Sequence, residues 1–189
     1  FEDLEISEEM ALIPPEGLQR GFAGLMNAYN GQRVGAGTVA MGIAAGAYEL
    51  ALEFSRERNQ FGRPICEFQG LQWMLVDMHT QIEAARLLLR KAAAVNSESS
   101  GNGFPDMLEA AQAKIFASEM AIKVTNDALQ IFGSSGYSRN FPLERMARDA
   151  RMFTIGGGTA QILRTVVASA LLERKLPQTR DGYSKQGKH

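Results

Sequence analysis

The stretch "LQWMLVDMHTQIEAARLLLRKAAAV" (Leu71–Val95) decides the class of fold. Leu71, Met74, Leu75, Met78, Ile82, Ala85 and Leu89 recur at steps of three and four, so they share one face of a helix that starts near Gln69. Gln72, Asp77, Glu83, Arg86 and Arg90 supply polar positions around that face. His79 has no second histidine nearby, and a structural or solvent role suits it better than a catalytic one.

The same period returns on both sides. No proline occurs from Leu18 to Arg58, and Leu18, Phe22, Leu25, Met26 and Tyr29 keep helical spacing. The second half of that helix, "RVGAGTVAMGIAAGAYELALEF" (Arg33–Phe54), is crowded with glycine and alanine. Each glycine costs a helix about 1 kcal/mol against alanine. Their density therefore points to close approach of another backbone or of a ligand, with helix–helix packing the simpler reading.

Beyond the central helix, "NSESSGNGF" (96–104) reads as a turn, and Pro105 suits the first position of the next helix. Leu108, Ala111, Ile115, Ser118, Ile122, Thr125 and Leu129 carry its stripe to Ile131. A short helix from Leu143 to about Met152 follows. A last helix, capped by Thr159, is expected to bury Leu163, Val166, Val167, Ala170 and Leu171 and to end at Arg174, Lys175 and Pro177. Four long helices with glycine-rich connections predict an all-α antiparallel four-helix bundle over residues 16–177. Residues 1–15, mixed apolar and acidic and ending in "PP", read as a strand or extended tail entering a turn, and residues 178–189 as a polar tail.

A chain of 189 residues, 45% hydrophobic, can bury one substantial core. With 20 basic and 21 acidic residues it has no electrostatic footprint for nucleic acid or an anionic membrane. The single Cys66 excludes an internal disulfide, and the two histidines lack zinc-ligand spacing, so no metal is expected and a reducing, cytoplasmic setting fits. The longest uncharged run, Val34–Tyr48, is too short and glycine-rich to span a bilayer. The opening "FEDLEISEEM" is acidic where a secretory signal is basic, and reads as the interior of a longer protein.

Chemistry concentrates at breaks between long helices. There are three: "RNQFGRPICEFQ" (58–69), "QIFGSSGY" (130–137) and "RDARMFTIGGGTAQILR" (148–164). Each joins glycine to hydrogen-bonding side chains and an aromatic residue, a mixture that suits a flat, polar-edged cofactor carrying phosphate. Arg145, Arg148 and Arg151 recur every third residue and read as a solvated or salt-bridged helix face.

Taken together and in this order, the three segments resemble the C-terminal helical domain of the acyl-CoA dehydrogenase family over nearly the whole chain. Residues 1–15 then look like the end of that family's middle β-domain. The resemblance implies an FAD-dependent enzyme acting on an acyl-CoA, inactive without the family's other two domains, and assembled as a homotetramer. Arg58, Gln60 and Phe61 match FAD-contacting positions, the arginine on the pyrophosphate of a neighbouring subunit's cofactor. A guanidinium forms paired hydrogen bonds to phosphate oxygens, so the residue type suits the task. Phe68 and Gln69 match a second flavin-facing pair. Gln130, Gly133 and Ser134 match residues that line the adenosine diphosphate of a neighbour's FAD; Ser134 stands where the family writes glycine, which carries strain if a positive φ is needed there. Thr159 and Gln161 match FAD-holding positions at a helix N-terminus. Arg33 and the loop residue Gly158 match positions near the CoA thioester.

Most of the family writes the last loop as "IYEGT", whose glutamate removes the α-proton of the thioester. Here Gly157 stands at that position. Some members supply the glutamate instead from the long first helix, immediately before the kept arginine, and that position is Gln32. A glutamine amide has glutamate's size without usable proton affinity near neutral pH, whereas general-base work needs a tunable group. Two enzyme readings follow from the resemblance. One is a reaction without α-proton abstraction, as in the family's 3-sulfinopropanoyl-CoA desulfinase type, which releases sulfite and leaves propanoyl-CoA. The other is ordinary α,β-dehydrogenation with a base from elsewhere. A third reading, from a different class, is a helical interaction module without chemistry.

Overall fold

The computed structural model describes residues 2–13, 17–94, 103–174 and 176. The expected turn at Pro14–Pro15, most of the 96–104 turn, Lys175, Pro177 and the polar tail lie outside the described residues. The chain order is α1 (Gly21–Glu57), β1 (Asn59–Gln60), β2 (Arg63–Pro64), α2 (Gln69–Ala94), α3 (Met107–Phe132), α4 (Ser134–Tyr137), α5 (Leu143–Met152) and α6 (Ala160–Leu171).

The all-α bundle is present, with particular corrections. Residues 2–13 hold a 3-10 turn at Glu8–Met10 and no strand, which agrees with the tail alternative of the strand-or-tail reading. The α3 helix starts after Asp106 rather than at Pro105: Asp106 Oδ1 accepts from Leu108 N at 2.8 Å and Glu109 N at 3.2 Å. The last helix runs 12 residues, so three long helices are joined by a short fourth. It packs chiefly on α3, which leaves Val166, Val167 and Ala170 half-buried and Leu171 exposed.

Close approach of helices explains the glycine and alanine of α1. Ala40, Ala44, Ala47 and Ala51 are wholly buried, and a Cβ on Gly37 would meet Leu89 Cδ2 at 2.8 Å. Gly31, Gly35 and Gly42 face open space instead, so packing accounts for only part of the pattern. Phe54 stacks on Phe132 with centroids 4.0 Å apart, and Gly37 lies level with Lys114, so α1 and α3 run parallel. Tyr48 meets His79 and Lys91 pairs with Glu109 at 2.9 Å, which sets α2 antiparallel to both.

The α3 helix touches α1, α2, α5 and α6, so burial wraps far beyond the single expected stripe and takes in Ala110, Ala113, Lys114, Ala117 and Val124. At and just before the start of α1 the reverse holds: Leu18 and Phe22 are about three-quarters exposed, and only the short segment Ala11–Ile13 approaches, near Leu25. By length and composition Leu18–Glu57 is one helix able to cross a membrane, but its alanine face is occupied by α2 and α3. The arginine face of α5 is solvated as expected, with Arg148 paired to Glu144 at 2.9 Å.

Candidate active site

Gln32, Gly35 and Ala36 of α1 face Met152, Phe153, Gly156 and Gly157 across a cleft of about 400 Å³. A Cβ on Gly157 would stand 3.8 Å from Gln32 Oε1. Two positions from opposite ends of the sequence therefore meet. The loop that brings Gly157 there is built by its backbone. Ile155 N and Gly156 N both donate to Met152 O at 2.9 Å, and Ala160 N donates to Thr154 O at 3.0 Å. Gly157 and Gly158 hold φ of +69° and +93°, the left-handed region that L side chains rarely adopt. Thr159 then caps α6, its Oγ1 accepting from Ile162 N at 3.2 Å.

Among the described residues no Asp or Glu lines this cleft. Two cations lie beside it instead. Arg33, next to Gln32, is buried; its Nη1 donates to Asn30 Oδ1 at 2.8 Å, and its Nε has no partner. Burial pushes its pKa down. Lys114, fully buried, donates from Nζ to the Gly158 carbonyl at 2.7 Å, and its pKa is lowered by burial and then by the Arg33 charge. Among the described residues no buried carboxylate balances them. The arrangement can hold a polarised carbonyl or an anion, but neither Gln32 nor Gly157 can accept a proton from carbon.

A second cleft of about 220 Å³ lies at the start of α6, where Thr159 and Gln161 form one wall and Glu119 and Arg151 stand opposite. Glu119 is already engaged, 2.7 Å from Arg164. The hydrogen bond from Arg164 holds its carboxyl below the usual range, and the same bond raises the arginine. Arg151 bonds to the Thr154 hydroxyl.

The remaining expected residues lie elsewhere. Phe61 and Gly62, with φ of +53° and +81°, form the two-residue turn of the β1–β2 ribbon. Positive φ at phenylalanine is uncommon, and its ring is 91% exposed. Gln60 bonds to the Asn59 carbonyl at 2.8 Å, Arg58 and Gln69 are exposed, and the Arg63 guanidinium sits 4.2 Å over the Phe68 ring. Gln130 is exposed on the last turn of α3, Gly133 has φ of +60°, and Ser134 opens α4 without positive φ, so the strain considered for it does not arise.

These two segments are neighbours, since Phe132 touches both Phe54 and Phe141. The distance from Gln32 to Arg58 along α1 is roughly 39 Å at about 1.5 Å per residue. Gln32 and Gly157 thus stand far from Arg58, while Thr159 and Gln161, against Glu119 and Ile122 of α3, lie between the two. Lys114 was missed by sequence reasoning; the available signal was a lysine set among Ala110, Ala111, Ala113 and Ala117 on an otherwise apolar face.

Residues 19–172 match the family model described as "Acyl-CoA dehydrogenase, C-terminal domain". The chain belongs to the acyl-CoA dehydrogenase family. It is 68% identical over 185 residues to the 3-sulfinopropanoyl-CoA desulfinase of Variovorax paradoxus, covering 98% of this chain and 45% of that protein. The butyryl-CoA dehydrogenase structure from Megasphaera elsdenii matches with TM-score 0.75 and 43% identity, over 81% of this chain and 39% of that one. A structure of PigA with FAD and proline matches with TM-score 0.68 and 28% identity, over 74% of this chain and 36% of that one. The chain thus spans less than half the length of these relatives.

Proposed function

We propose that this chain is the C-terminal part of a longer, FAD-binding flavoenzyme that acts on an acyl-CoA thioester without abstracting its α-proton. Desulfination of 3-sulfinopropanoyl-CoA to propanoyl-CoA and sulfite is the reaction favoured. The observation that carries this is the pairing of Gln32 with Gly157 across a cleft that no carboxylate among the described residues lines. The similarity to a desulfinase adds support.

The residues present fit a flavin dinucleotide. The second cleft opens at the N-terminus of α6, where the helix dipole favours an anion, and Thr159 and Gln161 stand there to hold it. Bound FAD would supply a planar electron acceptor beside the acyl chain. Arg58, Gln60, Phe61, Phe68, Gln69, Gln130, Gly133 and Ser134 lie farther along the bundle, at positions that match the family's further FAD contacts. Arg58 and the Gln130–Ser134 segment match positions that reach the cofactor of a neighbouring copy, which favours a homotetramer.

Desulfination breaks the bond between C3 and sulfur, transfers a proton to C3, and adds the oxygen of water to sulfur, with no net oxidation of the thioester. The chain's part in this is to hold and to withhold. Arg33 and the Gly158 segment would place the thioester, and the buried positive charge would stabilise negative charge that develops on its carbonyl. Gln32 fills the position of a base without acting as one.

Ordinary dehydrogenation is the second reading, favoured by the butyryl-CoA dehydrogenase likeness and by the exposure of Gln32, which leaves room for a carboxylate from another domain. The anaerobic full-length enzyme should release sulfite from 3-sulfinopropanoyl-CoA while its flavin stays oxidised. Rapid bleaching by a saturated acyl-CoA would favour the second reading, and a colourless protein that takes up no FAD would favour an interaction module.

A further inference from the structure

Lys114 is wholly buried yet has a hydrogen bond to only one described group, the Gly158 carbonyl, at 2.7 Å. Burying an ammonium is costly unless something specific requires it. Its helical neighbours Ala110, Ala113 and Ala117 offer no counter-charge, and nearby Arg33 opposes it. A methionine or leucine would fill this space without such a penalty, so the lysine serves the contact it makes. That contact lies on the loop where two successive residues hold positive φ, and where Gly158 has so little room that a Cβ would come 3.3 Å from Leu163 Cδ2. On the other side Gly37 lets α1 press against α3, a Cβ there standing 3.5 Å from Lys114 Cα. The lysine stem is thereby enclosed and its tip aimed at the loop.

We propose that Lys114 is a positioning residue: by anchoring the Gly158 carbonyl from inside the bundle it fixes the Gly157–Gly158 pair opposite Gln32. That the cleft is where the substrate reacts rests on the function proposed above; the anchoring itself does not.

The test is amide hydrogen exchange on the full-length enzyme, comparing residues 156–160 with core amides of α3 such as Val124 and Ala128. Lys114→Met should raise loop exchange at least tenfold while the α3 core amides keep their rates. Lys114→Gln, shorter but still a donor, should give an intermediate rise, and it alone decides the matter if the methionine variant does not fold. Unchanged loop rates in either folded variant, or loop and core rates rising by one common factor, would overturn the proposal. Activity is read separately: kcat/KM for the thioester should fall in step with loop exchange. If desulfination is absent from the parent enzyme, the function fails while the exchange result stands.

Discussion

A Cβ at residue 136 would stand 2.6 Å from the Leu129 carbonyl oxygen and 2.8 Å from Phe132 Cβ, both fixed parts of the α3 terminus. Gly136→Ala should therefore cost about 2–3 kcal/mol through overpacking, read as a lowered urea midpoint. Gly157 is different: the nearest side-chain atom to an added Cβ is 3.8 Å away, and only its φ of +69° resists substitution. Gly157→Ala should cost about 1 kcal/mol and leave the fold intact. Lys114 makes a prediction about pH. Its folded pKa is lowered, so the folded state resists its charge, and the cost is relieved as pH climbs from the folded value towards the ordinary lysine value. Stability should rise through that alkaline window, and Lys114→Met should abolish the rise. At this scale the sequence was informative about Gln32 and Gly157, because each could be set against a known motif. It was silent on Lys114, since a lone lysine on a helix is usually solvated and only the burial of α3 on four sides makes it otherwise.

Among the elements, α2 and α5 were legible because each keeps one apolar face against the bundle, so period and burial agree. Where the neighbourhood differs from a simple bundle, period misleads. Leu18, Phe22 and Leu25 keep helical spacing yet stay largely exposed, and Leu171 at the end of α6 is exposed too. The start of α3 turned on competition between Pro105 and Asp106, and two backbone N–H groups bonding to the aspartate decided it. Asp106→Ala should cost about 1 kcal/mol in thermal or urea unfolding. A half-exposed ion pair between Glu119 and Arg164 adds to the packing of α6 on α3. Because the Glu119 pKa is depressed in the folded state, its contribution is present above the ordinary carboxylate pKa and disappears as pH falls through the folded value. Glu119→Gln should flatten that acid limb of the stability profile while leaving alkaline behaviour unchanged.

For the whole molecule, the separation of roughly 39 Å between Gln32 and Arg58 along α1 is the organising dimension. One part of the bundle carries the cleft between Gln32 and Gly157; the far end carries Arg58, Phe61 and the Gln130 segment. This division was visible in the sequence only through family likeness, because the parallel course of α1 and α3 depends on contacts such as Phe54 on Phe132. If the far end holds a neighbour's cofactor, Arg58→Ala should weaken FAD retention in the assembled enzyme without loss of helix content, followed by flavin absorbance during size-exclusion chromatography. Undiminished retention would argue against the shared arrangement. The central claim, that the site has no base able to reach the thioester's C2, is tested most directly by isotope exchange. The full-length enzyme should be held in D₂O with a saturated acyl-CoA and the thioester recovered for mass analysis. The account predicts no enzyme-dependent deuterium at C2 in the wild-type reaction and its appearance in Gln32→Glu; deuterium entering C2 with the unaltered enzyme would contradict it.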